Sequence, residues 1–387
     1  MIRLPVNQDS PLEALRLAAS PGFPSALLRV YERVGDTAIW RAARENEMDA
    51  LVAHALRDAR GGEGLPSHWQ QAHDDTQQRI SSYLDELDRL AAQLASAGVP
   101  LVALKNGGIA RGIHPCAGCC PMGDLDVLVE KRHFRTAHTI MLSNGYRFEF
   151  RSPLEKADID QAEKGGGAEY WKLLPNGPKL WVEVQWRPVA GRWIRPDQEP
   201  RADHLLSRSV PIPGTAVRLL APEDNLLQVA LHTAKHSYVR APGFRLHTDV
   251  DRIVRGQTVD WDHFLDRVLT LEVTTPVYFS LVIPRMLFST PIPDEVLARL
   301  RPARWKEEAV GRWIERAGLF NPEGRKFGRI GYIGFTALLY DDLSGLVRAM
   351  FPDRHAMREQ YGFRSDAVLP FYHVRRLADL LFRRVSP

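Results

Sequence analysis

Between residues 121 and 129 the chain reads PMGDLDVLV, an apolar run of strand type entered through two acids one residue apart. Alternate side chains of a strand share a face, so Asp124 and Asp126 project together while Leu125 and Val127 pack behind them. Two carboxylates about 4 Å apart repel by roughly 4 kcal/mol at an effective dielectric of about 20. A hard cation such as Mg²⁺ between them removes that cost. On spacing alone, an exposed strand face with scattered acids is the competing reading, so the rest of the chain must supply the other parts of a metal site.

The surroundings divide by periodicity. Over the first 95 residues the pattern is helical; Ile80, Tyr83, Leu84, Leu87, Leu90, Ala91 and Leu94 recur at helical spacing and Gly98 follows as a stop. Residues 99–104 form a short strand-type run ending at Lys105-Asn106-Gly107-Gly108, and a loop over 112–123 leads into the acidic strand. Residues 131–143 predict a helix and 146–150 a strand. Residues 151–167, polar and closing on three glycines, predict a mobile loop. Two further strand runs, 168–174 and 179–186, flank the turn signal Pro175-Asn176-Gly177-Pro178. In the second run Trp181, Glu183 and Gln185 share one face and Leu180, Val182, Val184 and Trp186 the other. If that strand neighbours the first, Glu183 completes a three-carboxylate cluster able to hold one or two Mg²⁺ ions and position a triphosphate. Beyond residue 222 helices return, with Pro222, Glu223 and Asp224 suited to a helix start. This order predicts an α/β (α+β) chain: an N-terminal helical region over 1–95, a mixed core over 96–221 and a C-terminal helical domain over 222–387.

Composition narrows the class. A chain of 387 residues with 44% hydrophobic and 25% charged residues is ordinary for a soluble globular protein. No run of about 18 apolar residues exists and the N-terminus lacks the apolar core of a signal peptide, so a cytoplasmic location without a membrane span is expected. The small net charge of +4 is weighted toward residues 301–387, where 16 Lys/Arg face 10 Asp/Glu, which reads as a solvated basic surface. Nucleic acid as the main substrate is not expected, because no aromatic-and-basic repeat appears. All three cysteines, Cys116, Cys119 and Cys120, lie in one loop near His114. Zinc ligation and a disulfide are both open there, but free thiols in a mobile loop are expected.

The motifs GVPLVALKNGG, PMGDLDVLV and LWVEVQW together resemble the polymerase-β-like nucleotidyltransferase superfamily. More narrowly, with PEDNLLQVALHTAKH and the tail MFPDRHAMREQYG…LPFYHVRRLADLL, the chain is similar to a bacterial nucleotidyltransferase family found in peptide and polysaccharide biosynthetic gene clusters. The resemblance implies a small mixed nucleotidyltransferase sheet. It makes Asp124, Asp126 and Glu183 the metal ligands, with Glu183 able to help take the acceptor proton. It assigns Gly107 and Gly108 to close backbone approach to phosphates and Lys105 to a phosphate contact. The implied co-substrate is ATP or another NTP. The acceptor is open among a peptide, a metabolite and a protein side chain; γ-phosphate transfer by a kinase, or a silent binding protein, are the rivals. Three positions depart from the family pattern: Asn106 stands where glycine is common, Cys120 where arginine is common and Gln185 where histidine is frequent.

One further stripe bears on the site. Asn225, Gln228, His232, Lys235 and His236 fall on one helical face, readable as a solvated surface or domain contact, or as a cleft wall with Lys235 and His236 near the triphosphate. A zinc site on His232 and His236 is the minor reading. Asp249 matches a recurring acid of the family, placed to orient one of these histidines. Lys164, Lys172 and Arg187 are further candidate phosphate contacts.

Overall fold

The computed structural model describes residues 10–62, 64–152, 157–175, 177–189, 194–320, 324 and 326–382. Four short helices open the chain: α1 (Pro11–Ala19), α2 (Pro24–Val34), α3 (Asp36–Glu45) and α4 (Asp49–Ala59). Proline opens α1 and α2, where its missing N–H costs nothing. The long α5 (Ser67–Ser96) follows, burying Ile80, Tyr83, Leu87, Leu90, Ala91 and Leu94 along one stripe. The chain then enters β1 (Leu101–Leu104), α6 (Lys105–Gly112), β2 (Asp124–Leu128), α7 (Phe134–Ser143), β3 (Arg147–Phe148), α8 (Ile159–Gly165), β4 (Gly167–Leu173) and β5 (Lys179–Gln185). Next come α9 (Ala202–Arg208), β6 (Val210–Pro211), β7 (Val217–Leu219), α10 (Pro222–Lys235), α11 (Arg245–Gly256), α12 (Trp261–Thr270) and α13 (Thr274–Phe288), with further helices between Asp294 and Phe382.

The strands form one mixed seven-stranded sheet in the order β3-β4-β5-β2-β1-β7-β6. β2 runs parallel to β5 and antiparallel to β1, and β4 and β5 form an antiparallel hairpin. Strand alternation gives the sheet two unlike faces. Leu101, Ala103, Leu125, Val127, Tyr170, Leu180, Val182 and Val184 point to a core shared with α5 and α7. On the other face Val102, Leu104 and Leu128 meet Ala202, Leu205 and Leu206 of α9, which covers only part of it. Asp124, Asp126 and Glu183 occupy what α9 leaves.

Two expectations change. Part of the segment expected as a mobile loop is α8, whose Asp158 accepts hydrogen bonds from the backbone N–H groups of Asp160 and Gln161. A side chain that satisfies two orphan donors starts a helix that the polar composition hides. Residues 153–156 of that segment, and Asn176 of the turn signal, lie outside the described residues. The strand expected over 146–150 keeps its pairing only at Arg147 and Phe148. Among the described residues no helix is long and apolar enough to cross a membrane.

Candidate active site

The register of β2 and β5 decides the geometry. Asp126 and Glu183 are direct Cα partners on adjacent strands, and Asp124 pairs with Trp181. Adjacent strands lie about 4.8 Å apart and residues i and i+2 about 6.6 Å apart, so the three carboxylates share one small patch. A fourth acid joins them: Glu169 on β4 is the direct partner of Glu183 across the hairpin.

Two cations are set among these acids. Lys105 Nζ donates to Asp126 Oδ1 at 2.7 Å, and the same oxygen accepts from Gln185 Nε2 at 2.6 Å. Arg151 donates through Nη1 to Asp124 Oδ2 (2.6 Å) and through Nη2 to Glu169 Oε1 (3.2 Å), with its guanidinium 5.6 Å from the Trp181 ring centroid. Lys105 stands at the strand-to-helix turn with a φ of 51°, a left-handed conformation that costs a non-glycine residue about 1–2 kcal/mol. That strain holds its ammonium over the acids.

The titration of the acids reflects the crowding. Burial and the charge of Asp126 raise Asp124 above its ordinary range and push Glu183 up to about 7. Burial alone would raise Asp126 too, but Lys105 holds it below the usual carboxylate range. The three acids therefore share less than three negative charges at neutral pH, as expected of a carboxylate cluster whose compensation is incomplete.

Helix α10 forms the facing wall. Its polar stripe is partly buried and engaged with neighbouring segments: Gln228 Nε2 donates to the carbonyl of Pro188 (3.2 Å), Lys235 Nζ to that of Val189 (3.1 Å), and Asn225 Nδ2 to Gln257 Oε1 (3.1 Å). Lys235 feels the charges of Lys105, Glu183 and Asp126, and burial together with Lys105 lowers its pKa. The His232 and His236 rings contact edge-to-face at 4.7 Å. Burial, and then Lys235, brings His236 down to about 3; burial, and then Lys105, lowers His232 well below the usual range. Both are neutral donors or acceptors at pH 7.

Several sequence-derived candidates sit elsewhere. Asp249 faces Arg252 (3.5 Å) and Asn106, not a histidine of α10. Lys172 pairs with Glu86, and Arg187 with Glu199. Gly107 and Gly108 lie in the first turn of α6, and Gly108 is required by packing: a Cβ there would stand 2.8 Å from the Ala103 carbonyl oxygen and 2.9 Å from Leu219 Cδ1. The three cysteines are free thiols, as expected, but Cys119 and Cys120 are buried and Cys116 partly so. His114 turns its Nδ1 to the backbone of Cys116.

Arg151 and Glu169 were not anticipated. Glu169 was accessible in principle, since the hairpin register places it opposite Glu183; Arg151 carries no local signal.

Residues 33–289 match the profile of a family described as an uncharacterised nucleotidyltransferase. The chain belongs to this nucleotidyltransferase family. No curated protein matches it. The acidic strands of the site lie within the matched span, as do α6 and α10. As a nucleotidyltransferase the protein is a transferase, and the family generally uses an NTP and a divalent metal. The acids fit such a metal by an observation independent of the family: the Lys105 ammonium is paired with Asp126 and the Arg151 guanidinium bridges Asp124 and Glu169, so the patch already draws cations.

Proposed function

We propose that the protein transfers a nucleoside monophosphate from an NTP, most simply ATP, to a hydroxyl or similar acceptor in a Mg²⁺-dependent reaction. The observation that carries this reading is the Asp126–Glu183 register with Lys105 paired to Asp126. Asp124, Asp126 and Glu183 would hold the metal, which when bound offsets charge on the triphosphate and on the attacking oxygen.

The remaining work falls to the chain itself. Lys105, released from Asp126 when the carboxylates take a metal, is long enough to turn to a phosphate oxygen from the start of α6. The first-turn amide groups of α6 add orphan donors beside it. Lys235, held at the Val189 carbonyl, brings a second cation from the opposite wall. Glu183 would help take the proton from the acceptor hydroxyl. Positioning and charge complementarity of this kind supply most of the catalysis in phosphoryl chemistry.

The acceptor is a peptide, a metabolite or a protein side chain, and labelled ATP separates the readings. With Mg²⁺ and candidate acceptors, label is expected to transfer from the α-phosphate and not from the γ-phosphate. Asp126→Ala, folded by circular dichroism, is expected to abolish transfer and to weaken Mg²⁺-dependent ATP binding about 10-fold or more, roughly 1.4 kcal/mol. Transfer of γ-label alone would make the protein a kinase. Unchanged Mg²⁺–ATP binding in Asp126→Ala would remove the metal site from the argument.

A further inference from the structure

Away from the acidic patch, His54, His73, Cys116 and Cys119 each bring one ligand atom into a group whose members all lie within 4.8 Å of one another. His54 comes from α4 and His73 from α5, while the cysteines bracket Ala117 and Gly118 in the connection from α6 to β2. We propose that these four side chains form a structural zinc site fastening the entry of the acidic strand to α4 and α5.

The donor set and spacing fit that metal. Zn–S bonds of about 2.3 Å and Zn–N bonds of about 2.0–2.1 Å in a tetrahedron put ligand atoms about 3.3–3.8 Å apart. His73 Nε2 is 3.4 Å from Cys116 Sγ. The two sulfurs, 2.8 Å apart, would open by about 1 Å around a zinc ion, and they are farther apart than the roughly 2.05 Å of a disulfide. A pair of cysteines with two residues between them, combined with two histidines, is a standard zinc donor set, and four protein ligands leave no open position, so the site is structural and not catalytic.

Its surroundings are built to the same end. Gly118 passes so close to α5 that a Cβ would lie 3.0 Å from His73 Nε2 and 3.1 Å from Gln77 Oε1. Gln77 Oε1 accepts from the Gly118 N–H at 2.7 Å, fixing the turn that carries both cysteines. Carboxylates flank both rings: Asp74 lies 3.5 Å from His73 Nδ1 and Asp58 lies 3.2 Å from His54 Nε2. Such partners orient metal-bound imidazoles. Arg57 Nη2 is 3.1 Å from His54 Nδ1, so one of the two contacts of His54 gives way when that nitrogen takes a metal. Cys120 and His114 are not part of the set; Cys120 Sγ faces Arg252 at 3.6 Å.

The test uses the full chain, made with zinc in the medium and kept reduced. It is expected to retain about one equivalent of zinc after dialysis, and Co²⁺ in its place to show thiolate charge-transfer and tetrahedral d–d bands. Cys116→Ser and His73→Gln are expected to lose the metal, while Cys120→Ser and His114→Gln keep it. Because a ligand variant can misfold, a second measurement stays on the unaltered protein: Zn²⁺ is expected to protect Cys116 and Cys119 from alkylation, and a chelator to expose them and lower the melting temperature by about 5 °C or more. Absence of zinc together with absence of protection overturns the site. So does a Cys116–Cys119 disulfide in the chain as isolated, or loss of zinc from Cys120→Ser.

Discussion

Asn106 gives a first case of what one side chain decides. At the start of α6, with its amide turned so that both ends find partners, its nitrogen donates to Asp249 (3.0 Å and 3.2 Å to the two oxygens) and its oxygen accepts from Arg245 Nη1 at 2.7 Å. Arg245 also donates to the Pro121 carbonyl at 2.5 Å, so α6, α11 and the entry of β2 are joined at one point. A glycine at position 106 would leave the buried Asp249 short of a donor, which explains why the departure from the family pattern is tolerated here. None of this was legible in the sequence, because the partners belong to a distant helix. His247, also on α11, yields a pH expectation. It is fully buried; Nε2 donates to the Tyr238 carbonyl at 3.0 Å and Nδ1 has no partner among the described residues. Burial brings its pKa down to about 4. Between that value and the unfolded value of about 6.5 the unfolded chain binds the extra proton, so stability rises with pH across the interval and is flat above it. The slope is about 1.4 kcal/mol per pH unit, or about 2 kcal/mol lost on going from pH 6.5 to 5. Urea midpoints across pH 4.5–8 read it, and His247→Gln is expected to make the acid limb shallower, with His232 and His236 supplying part of what is left; an unaltered limb would place the titration elsewhere.

At the scale of elements, what the sequence carried was strand alternation and what it withheld was pairing. Asp124, Asp126 and Glu183 sit on the face their alternation predicts, and the inward residues Leu125, Val127, Val182 and Val184 are buried as expected. That β2 and β5 are neighbours, and that β4 brings Glu169 to Glu183, are non-local facts fixed by the packing of the whole sheet against α5. The glycine pair of α6 opens the helix where it was expected, and one of its members has a packing role as well. Gly108 lets the helix lie against the Ala103 carbonyl and Leu219, whereas a Cβ on Gly107 meets Leu125 Cδ2 at an ordinary 3.4 Å. Gly108→Ala should therefore destabilise by about 1–3 kcal/mol, because a backbone carbonyl cannot move aside as a side-chain tip can. Gly107→Ala should stay within about 1 kcal/mol of the native protein, helped by the better helix propensity of alanine. Denaturant midpoints of the two variants compare them directly, and equal losses would show that packing against β1 is not what requires glycine at 108.

The first and last helical segments were read as separate regions, since linear order says nothing about which segments pack together. In the folded chain α1–α4 share a core with α10–α13 and the helices beyond, while α5 belongs to the core of the sheet. Arg16 donates to the Leu287 carbonyl at 3.2 Å, Asn46 to that of Phe320 at 3.2 Å, and Glu47 accepts from Arg245 at 2.9 Å. The sheet is thus an insertion between two halves of one helical body, and α11 and α13, which pack on α10 and its Lys235, are held in part by the N-terminal helices. Leu15, Leu27, Ile39, Val52 and Leu56 are almost completely buried in the shared core. At about 1.5–3 kcal/mol for each buried side chain, these five contribute roughly 7–15 kcal/mol, comparable to the whole stability of about 5–15 kcal/mol expected of a folded domain. A fragment of residues 222–387 should therefore show helical circular dichroism without a cooperative thermal transition, because the surface that α1–α4 cover would face water. A sharp melt of that fragment would mean that the C-terminal helices close their own core, and that the position of Lys235 does not depend on the first sixty residues.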